Sequence, residues 1–176
     1  MSVRVPLLCL AVAAALAAAD TAPPTFSRER GFIDQQVAVT ITAPAGGSVR
    51  YTTDGTWPTA TSGSGGGASA TVTLTTTTVL RAIASVAGAT PSPVVTHTYI
   101  RLDDVLKQPS RAKGTPTPPT RTWGDTAMDQ QRVAAFGAAQ IKADLRSIPT
   151  LSLASAPNEL FSTSQGILAN PSQVGA

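Results

Sequence analysis

The chain has little of what most active sites are built from. Among 176 residues there is one cysteine and one histidine; aromatic residues make up 5% and charged residues 13%. Cys9 lies in an apolar N-terminal run, so the rest of the chain has no disulfide, no thiol nucleophile and no cysteine metal ligand. His97 is in turn too solitary for a metal site, and a catalytic triad needs a serine and an acid held beside it. The net charge of +3 and the pI near 9.5 come from a small excess in a charge-poor chain. The one basic cluster is Lys107, Arg111, Lys113 and Arg121, accompanied by Trp123 alone. Nucleic-acid binding interleaves aromatics with charge, so this cluster reads as a solvated linker.

The longest apolar run comes first. MSVR carries a positive charge at Arg4, and Val5 to Ala19 contains no charge and ends in Ala17-Ala18-Ala19 before Asp20. That is the pattern of a secretory signal, residues 1–19, with a small-residue cleavage site. The run falls short of the ~20 apolar residues a membrane span needs. A secreted or otherwise extracytoplasmic chain, with no membrane anchor after cleavage, is the expectation. Its net charge falls to +2 with Arg4 gone.

From Val37 to Ile100 the sequence alternates with period two and is rich in Thr, Val and Ala. VAVTITA (37–43) sets Val37, Val39 and Ile41 on one face, and SVRYTTD (48–54) sets Val49, Tyr51 and Thr53 opposite Arg50 and Thr52. ATVTL (70–74), TVLRAIASV (78–86) and VVTHTYI (94–100) continue the series, broken at PAGG (44–47), DGTWPTATSGSGGG (54–67) and GATPSP (88–93). Short β-branched runs split by turns, with no helical segment among them, predict an all-β antiparallel sandwich. Without disulfides it must rest on its core alone, and a domain of this size buries only about 60% of its unfolded surface.

The pattern changes after Ile100. LDDVLKQ (102–108) is short and amphipathic, and KGTPTPPT (113–120) cannot hold a ladder. Residues 129–147 turn helical, with Ile141, Leu145 and Ile148 on one face and Gly137 placed to split the helix. TLSLA (150–154) reads as an isolated strand. The organisation expected is a sandwich over 24–100, a linker over 101–125, and an incomplete α+β start of a following domain over 126–176.

PTFSRERGFID (24–34), VAVTITAP (37–44), VRYTTDGTWPT (49–59), TTTTVLRAIA (75–84) and VVTHTYI (94–100) together resemble the β-sandwich domain C-terminal to the catalytic domain of chitobiases and β-hexosaminidases. That resemblance implies an immunoglobulin-like accessory module that does not itself hydrolyse sugar. Behind it, LDDVLKQP (102–109), TWGDTAMD (122–129), IKADLRSIPTLSLAS (141–155) and GILANP (166–171) resemble the opening of a spore-coat-protein-H-type atypical kinase domain. The chain departs from that pattern at Gln130-Gln131 and Leu168. The kinase family's nucleotide and metal residues lie downstream of this segment, so the resemblance assigns no catalytic role here.

The candidate chemistry is correspondingly thin. Asp103-Asp104 is the one adjacent acid pair, but neighbours on an extended chain point apart and cannot flank one glycosidic bond. GSGGG (63–67) leads into a strand and so lacks the helix N-terminus of a phosphate loop; it reads as a flexible hairpin loop. Trp57, just past Asp54-Gly55, is the one candidate ligand-binding residue: an exposed indole there stacks on a sugar ring, whereas a packed one caps the sandwich edge. No catalytic residue, metal site or cofactor is expected. Two functions stay open: a non-catalytic exported module contacting a polysaccharide or an extracytoplasmic protein, and the N-terminal fragment of a larger secreted atypical kinase.

Overall fold

β-branched alternation becomes strand wherever it occurs between Val37 and Arg101. The computed structural model describes residues 19–110, 127–164 and 166. Of the expected signal peptide (1–19) all but Ala19 lies outside them, as do residues 111–125 of the expected linker (101–125) and Leu168. Among the described residues there are eight strands: β1 (Thr25–Phe26), β2 (Gly31–Ile33), β3 (Val37–Thr42), β4 (Gly47–Thr52), β5 (Ser64–Gly65), β6 (Ser69–Leu74), β7 (Thr78–Val86) and β8 (Val95–Arg101). They form a three-stranded sheet in the order β1-β3-β6 and a five-stranded sheet in the order β2-β8-β7-β4-β5.

The two sheets close over Ile33, Val39, Ile41, Val49, Val72, Leu74, Leu80, Ala82 and Tyr99. Period two places Val39 and Ile41 on the inner face of β3, and Leu80, Ala82 and Ala84 on that of β7. Full burial of each large aliphatic side chain contributes about 1.5–3 kcal/mol. Tyr99 is also fully buried, and its hydroxyl donates to the Arg28 carbonyl at 2.7 Å. His97 Nδ1 lies 3.2 Å from that hydroxyl, and its ring stacks on Phe26 at 4.2 Å between centroids. Because the Tyr99 proton is committed to Arg28, Nδ1 must carry the proton of the neutral imidazole. Burial lowers the His97 pKa and pushes Tyr99 up to about 12.

Among the described strand pairs one departs from the antiparallel expectation: β2 runs parallel to β8. Only residues 27–30 separate β1 from β2, too few to reverse direction while changing sheets. The chain therefore continues onward from the edge of one sheet to the edge of the other. At the start of the described chain, Thr90 N donates to the Ala19 carbonyl and Thr21 N to the Thr90 carbonyl, and Thr21 is buried.

Order also continues past Ile100. Arg101 ends β8, and α1 (Leu102–Leu106) buries Leu102 and Leu106. The acid pair occupies the first turn of this helix, where its charge favours the helix dipole. Asp104 Oδ2 accepts from Thr77 N at 2.5 Å, and Asp103 pairs with Lys142 and, at 3.6 Å, with Arg101.

Further on come α2 (Gln130–Phe136), α3 (Ala138–Ser147) and α4 (Pro157–Phe161). Asp129 caps α2 by accepting from the Gln131 and Arg132 amides. Gly137, at φ +82°, divides α2 from α3 with a backbone turn that other residues adopt at a cost. Neither helix buries a side chain.

TLSLA is not a strand. Residues 149–156 have no regular structure and cross the outer face of the five-stranded sheet, with Ser152 Oγ donating to Thr98 Oγ1 at 2.9 Å. The alternation is real but reversed: Ser152 and the Ala154 carbonyl face the sheet, while Leu151 and Leu153 stay 84% and 86% exposed.

Candidate functional site

Trp57 sits on the β4–β5 connection, which is tightly organised. Asp54 Oδ1 accepts from the Thr56 amide at 3.0 Å and its hydroxyl at 2.6 Å, while Thr52 Oγ1 donates to the Thr56 carbonyl. These bonds, the side-chain one first, lower the Asp54 pKa and hold it ionised. Arg50 donates to the Ala60 and Gly63 carbonyls across the loop, and Thr59 Oγ1 accepts from the Ser62 amide. Part of GSGGG, read as a flexible hairpin loop, forms β5 instead. Gly65 is required there: its φ is +98°, and a Cβ would lie 2.6 Å from the Val49 carbonyl oxygen.

That frame leaves the indole 51% exposed, neither a buried cap nor a free side chain. The Arg81 guanidinium carbon is 3.9 Å from the ring centroid, a cation–π contact of about 0.5–2 kcal/mol. Indole Nε1 donates to Glu159 Oε1 at 3.1 Å. Glu159 also accepts from Ser155 Oγ at 2.5 Å and the Ala156 amide at 2.9 Å, bonds that lower its pKa, the Ser155 bond most.

Arg81 is the residue that reading the sequence missed. It lies in the middle of β7, opposite Thr52 on one side and Thr96 on the other, with its side chain on the outer sheet face. It is only 1% exposed because Trp57 and the 149–156 segment cover it. Nη2 donates to the Ala154 carbonyl at 3.0 Å; Nε and Nη1 find no partner among the described residues. Each buried, unpaired donor costs on the order of 1–3 kcal/mol, more when charged. One signal was available: a single charge inside the apolar run VLRAIA. Glu159, 102 positions from Trp57, had none.

Two open clefts flank the indole. One of about 370 Å³ lies over the turn, between Tyr51, Asp54, Thr56 and Ser64. The other, about 750 Å³, lies between the sheet and the overlying segment, with Phe32, Arg81, Thr96, Thr98 and Leu151 in its walls. His97, Asp103 and Asp104 belong to neither. Among the described residues no three His, Cys, Asp or Glu side chains group as metal ligands, and no helix is long and apolar enough to cross a membrane. The arrangement offers an aromatic face, hydroxyls and one cation: recognition chemistry.

Two facing sheets closed over one apolar core define the fold class as an all-β sandwich. Residues 29–96 match the family model of the Chitobiase/beta-hexosaminidase C-terminal domain, a non-catalytic accessory module of glycoside hydrolases. No curated protein matches the chain.

Proposed function

We propose that this is an exported, non-catalytic accessory module that contacts extracytoplasmic polysaccharide through the 54–67 loop, with Trp57 as the contact residue. The half-exposed indole, held by Arg81 at its ring and Glu159 at its Nε1 between two clefts, carries this reading. A sugar ring stacks on such a face, and the hydroxyls of Thr56 and Ser64 lie on the adjoining cleft. The test is retention of the full chain on insoluble chitin, cellulose and cell-wall material beside Trp57→Ala. Retention lost in a folded variant supports the reading; equal behaviour of both proteins makes the module a spacer. Export is tested separately: N-terminal sequencing of the extracytoplasmic protein should begin within a residue or two of Asp20.

A second reading takes residues 126–176 as the opening of a spore-coat-protein-H-type kinase domain. It is favoured by α2 and α3, which bury nothing, and by the exposure of Phe136, Ile148, Leu151 and Leu153. Sequencing the coding DNA beyond Ala176 for kinase-like continuation in any frame tests it. ATP turnover by the 176-residue chain would overturn the non-catalytic reading.

A further inference from the structure

Arg81 presents a cation in a setting that wants an anion. Its stem is locked in the central strand of the sheet, its guanidinium carbon sits over the Trp57 ring, and two of its three nitrogens are buried without partners among the described residues. Both edges of a guanidinium that can grip a carboxylate in two parallel bonds include Nη2. Here Nη2 is spent on a single backbone carbonyl, that of Ala154. The overlying segment also brings the Glu159 carboxylate onto the Trp57 indole, close enough for its charge to feel Arg81.

We propose that the outer sheet face carries a carboxylate-binding site anchored on Arg81, that its ligand is a uronate-bearing polysaccharide, and that residues 148–159 compete for it from within the chain. This deepens the sugar-contact reading of Trp57 and rests on it. The carboxylate of a uronate takes the guanidinium edge that Ala154 vacates, while the pyranose ring lies against Trp57 with the Thr96 and Thr98 hydroxyls beneath. The exposed indole and paired threonines favour a sugar acid over an acidic peptide.

Affinity electrophoresis of the full chain tests this, in gels holding polygalacturonate, its fully methyl-esterified form, or polyglutamate. Polygalacturonate should retard the chain at least about ten-fold more strongly than the neutral ester, the weight of one charge-assisted bond. Arg81→Lys keeps the charge but loses the planar fork, and should abolish most of that preference. Lys107→Gln, which removes one exposed charge elsewhere, should change it less than about two-fold. Glu159→Gln loosens the cover and should tighten binding several-fold; this arm remains readable if Arg81→Lys fails to fold.

Equal retardation by acid and ester, an unaffected Arg81→Lys, an equal loss in Lys107→Gln, or weaker binding by Glu159→Gln overturns the site. Equal retardation by polyglutamate makes the ligand an acidic peptide and overturns the uronate. If the ester is retained and Trp57→Ala releases it while Arg81→Lys does not, this proposal fails and the sugar-contact reading stands. If no polysaccharide is retained here or on the insoluble materials, both fall.

Discussion

The sandwich and the segment that follows it are held in opposite ways. Residues 19–106 bury a closed apolar set between two sheets and extend it into α1 through Leu102 and Leu106. Residues 127–164 lie against that body chiefly through polar bonds, Arg146 to Asp34, Lys142 to Asp103, Ser152 to Thr98, Ala154 to Arg81 and Glu159 to Trp57, and bury Ala156 as their one apolar side chain among the described residues. Apolar burial is cooperative because every neighbour loses contacts together. Exposed ion pairs each contribute only about 0–1 kcal/mol and exchange readily with water. The sandwich should therefore unfold as one unit while the later segment detaches at much lower free energy.

The largest effect should come from the core. Leu80→Ala should cost about 2–5 kcal/mol in urea unfolding, whereas the equally drastic Leu151→Ala should stay within about 0.5 kcal/mol. Comparable losses would erase the contrast. Tyr99→Phe comes next: it removes the hydroxyl that donates to the Arg28 carbonyl and meets the buried His97 nitrogen, at about 1–3 kcal/mol. Since the folded pKa of Tyr99 is raised to about 12, its contribution is intact below pH 10 and is lost as pH rises above it. Melting temperatures between pH 9 and 11.5 should fall less steeply in Tyr99→Phe than in the parent.

Acid should act first on the sandwich. His97 has a lowered folded pKa, chiefly through burial. Stability is therefore complete above its ordinary value of 6.5 and is lost as pH falls below it. Melting temperature should drop between pH 7.5 and 5.5, and more weakly in His97→Asn. Asp54, Asp103 and Glu159, all lowered by hydrogen bonds, act in the carboxylate range beneath that window. The smallest global effect belongs to Lys142→Ala with Arg146→Ala, below about 1 kcal/mol. Its signature is local: faster amide exchange in α3 and earlier proteolysis between residues 107 and 147, with the sandwich unchanged. A sandwich destabilised in step would join the two regions into one cooperative unit.

The same division explains what could be read in advance. Period-two alternation marks strands wherever one face meets a core, so β3, β4, β6, β7 and β8 were legible to within a residue or two. The β2–β8 pairing was not, because GFI carries no alternation and its partner is decided by how few residues follow β1. TLSLA has a strand's pattern yet lacks a ladder; alternation reports a two-faced segment, not which face will be covered. Trp57 stood out in the sequence because it is rare. Arg81 and Glu159 join it only through folding, since neither local spacing nor composition links positions 57, 81 and 159.

The parallel β2–β8 pair has a mechanical consequence. β2 lies near the N-terminal end of the sandwich and β8 at its C-terminal end, joined by the register Gly31 to Tyr99, Phe32 to Ile100 and Ile33 to Arg101. Tension applied between those two ends pulls parallel strands in opposite directions along their length. The ladder bonds are then loaded together in shear, instead of one at a time as in the peeling of an antiparallel hairpin. A module strung between a surface and a moving partner would resist extension at that seam.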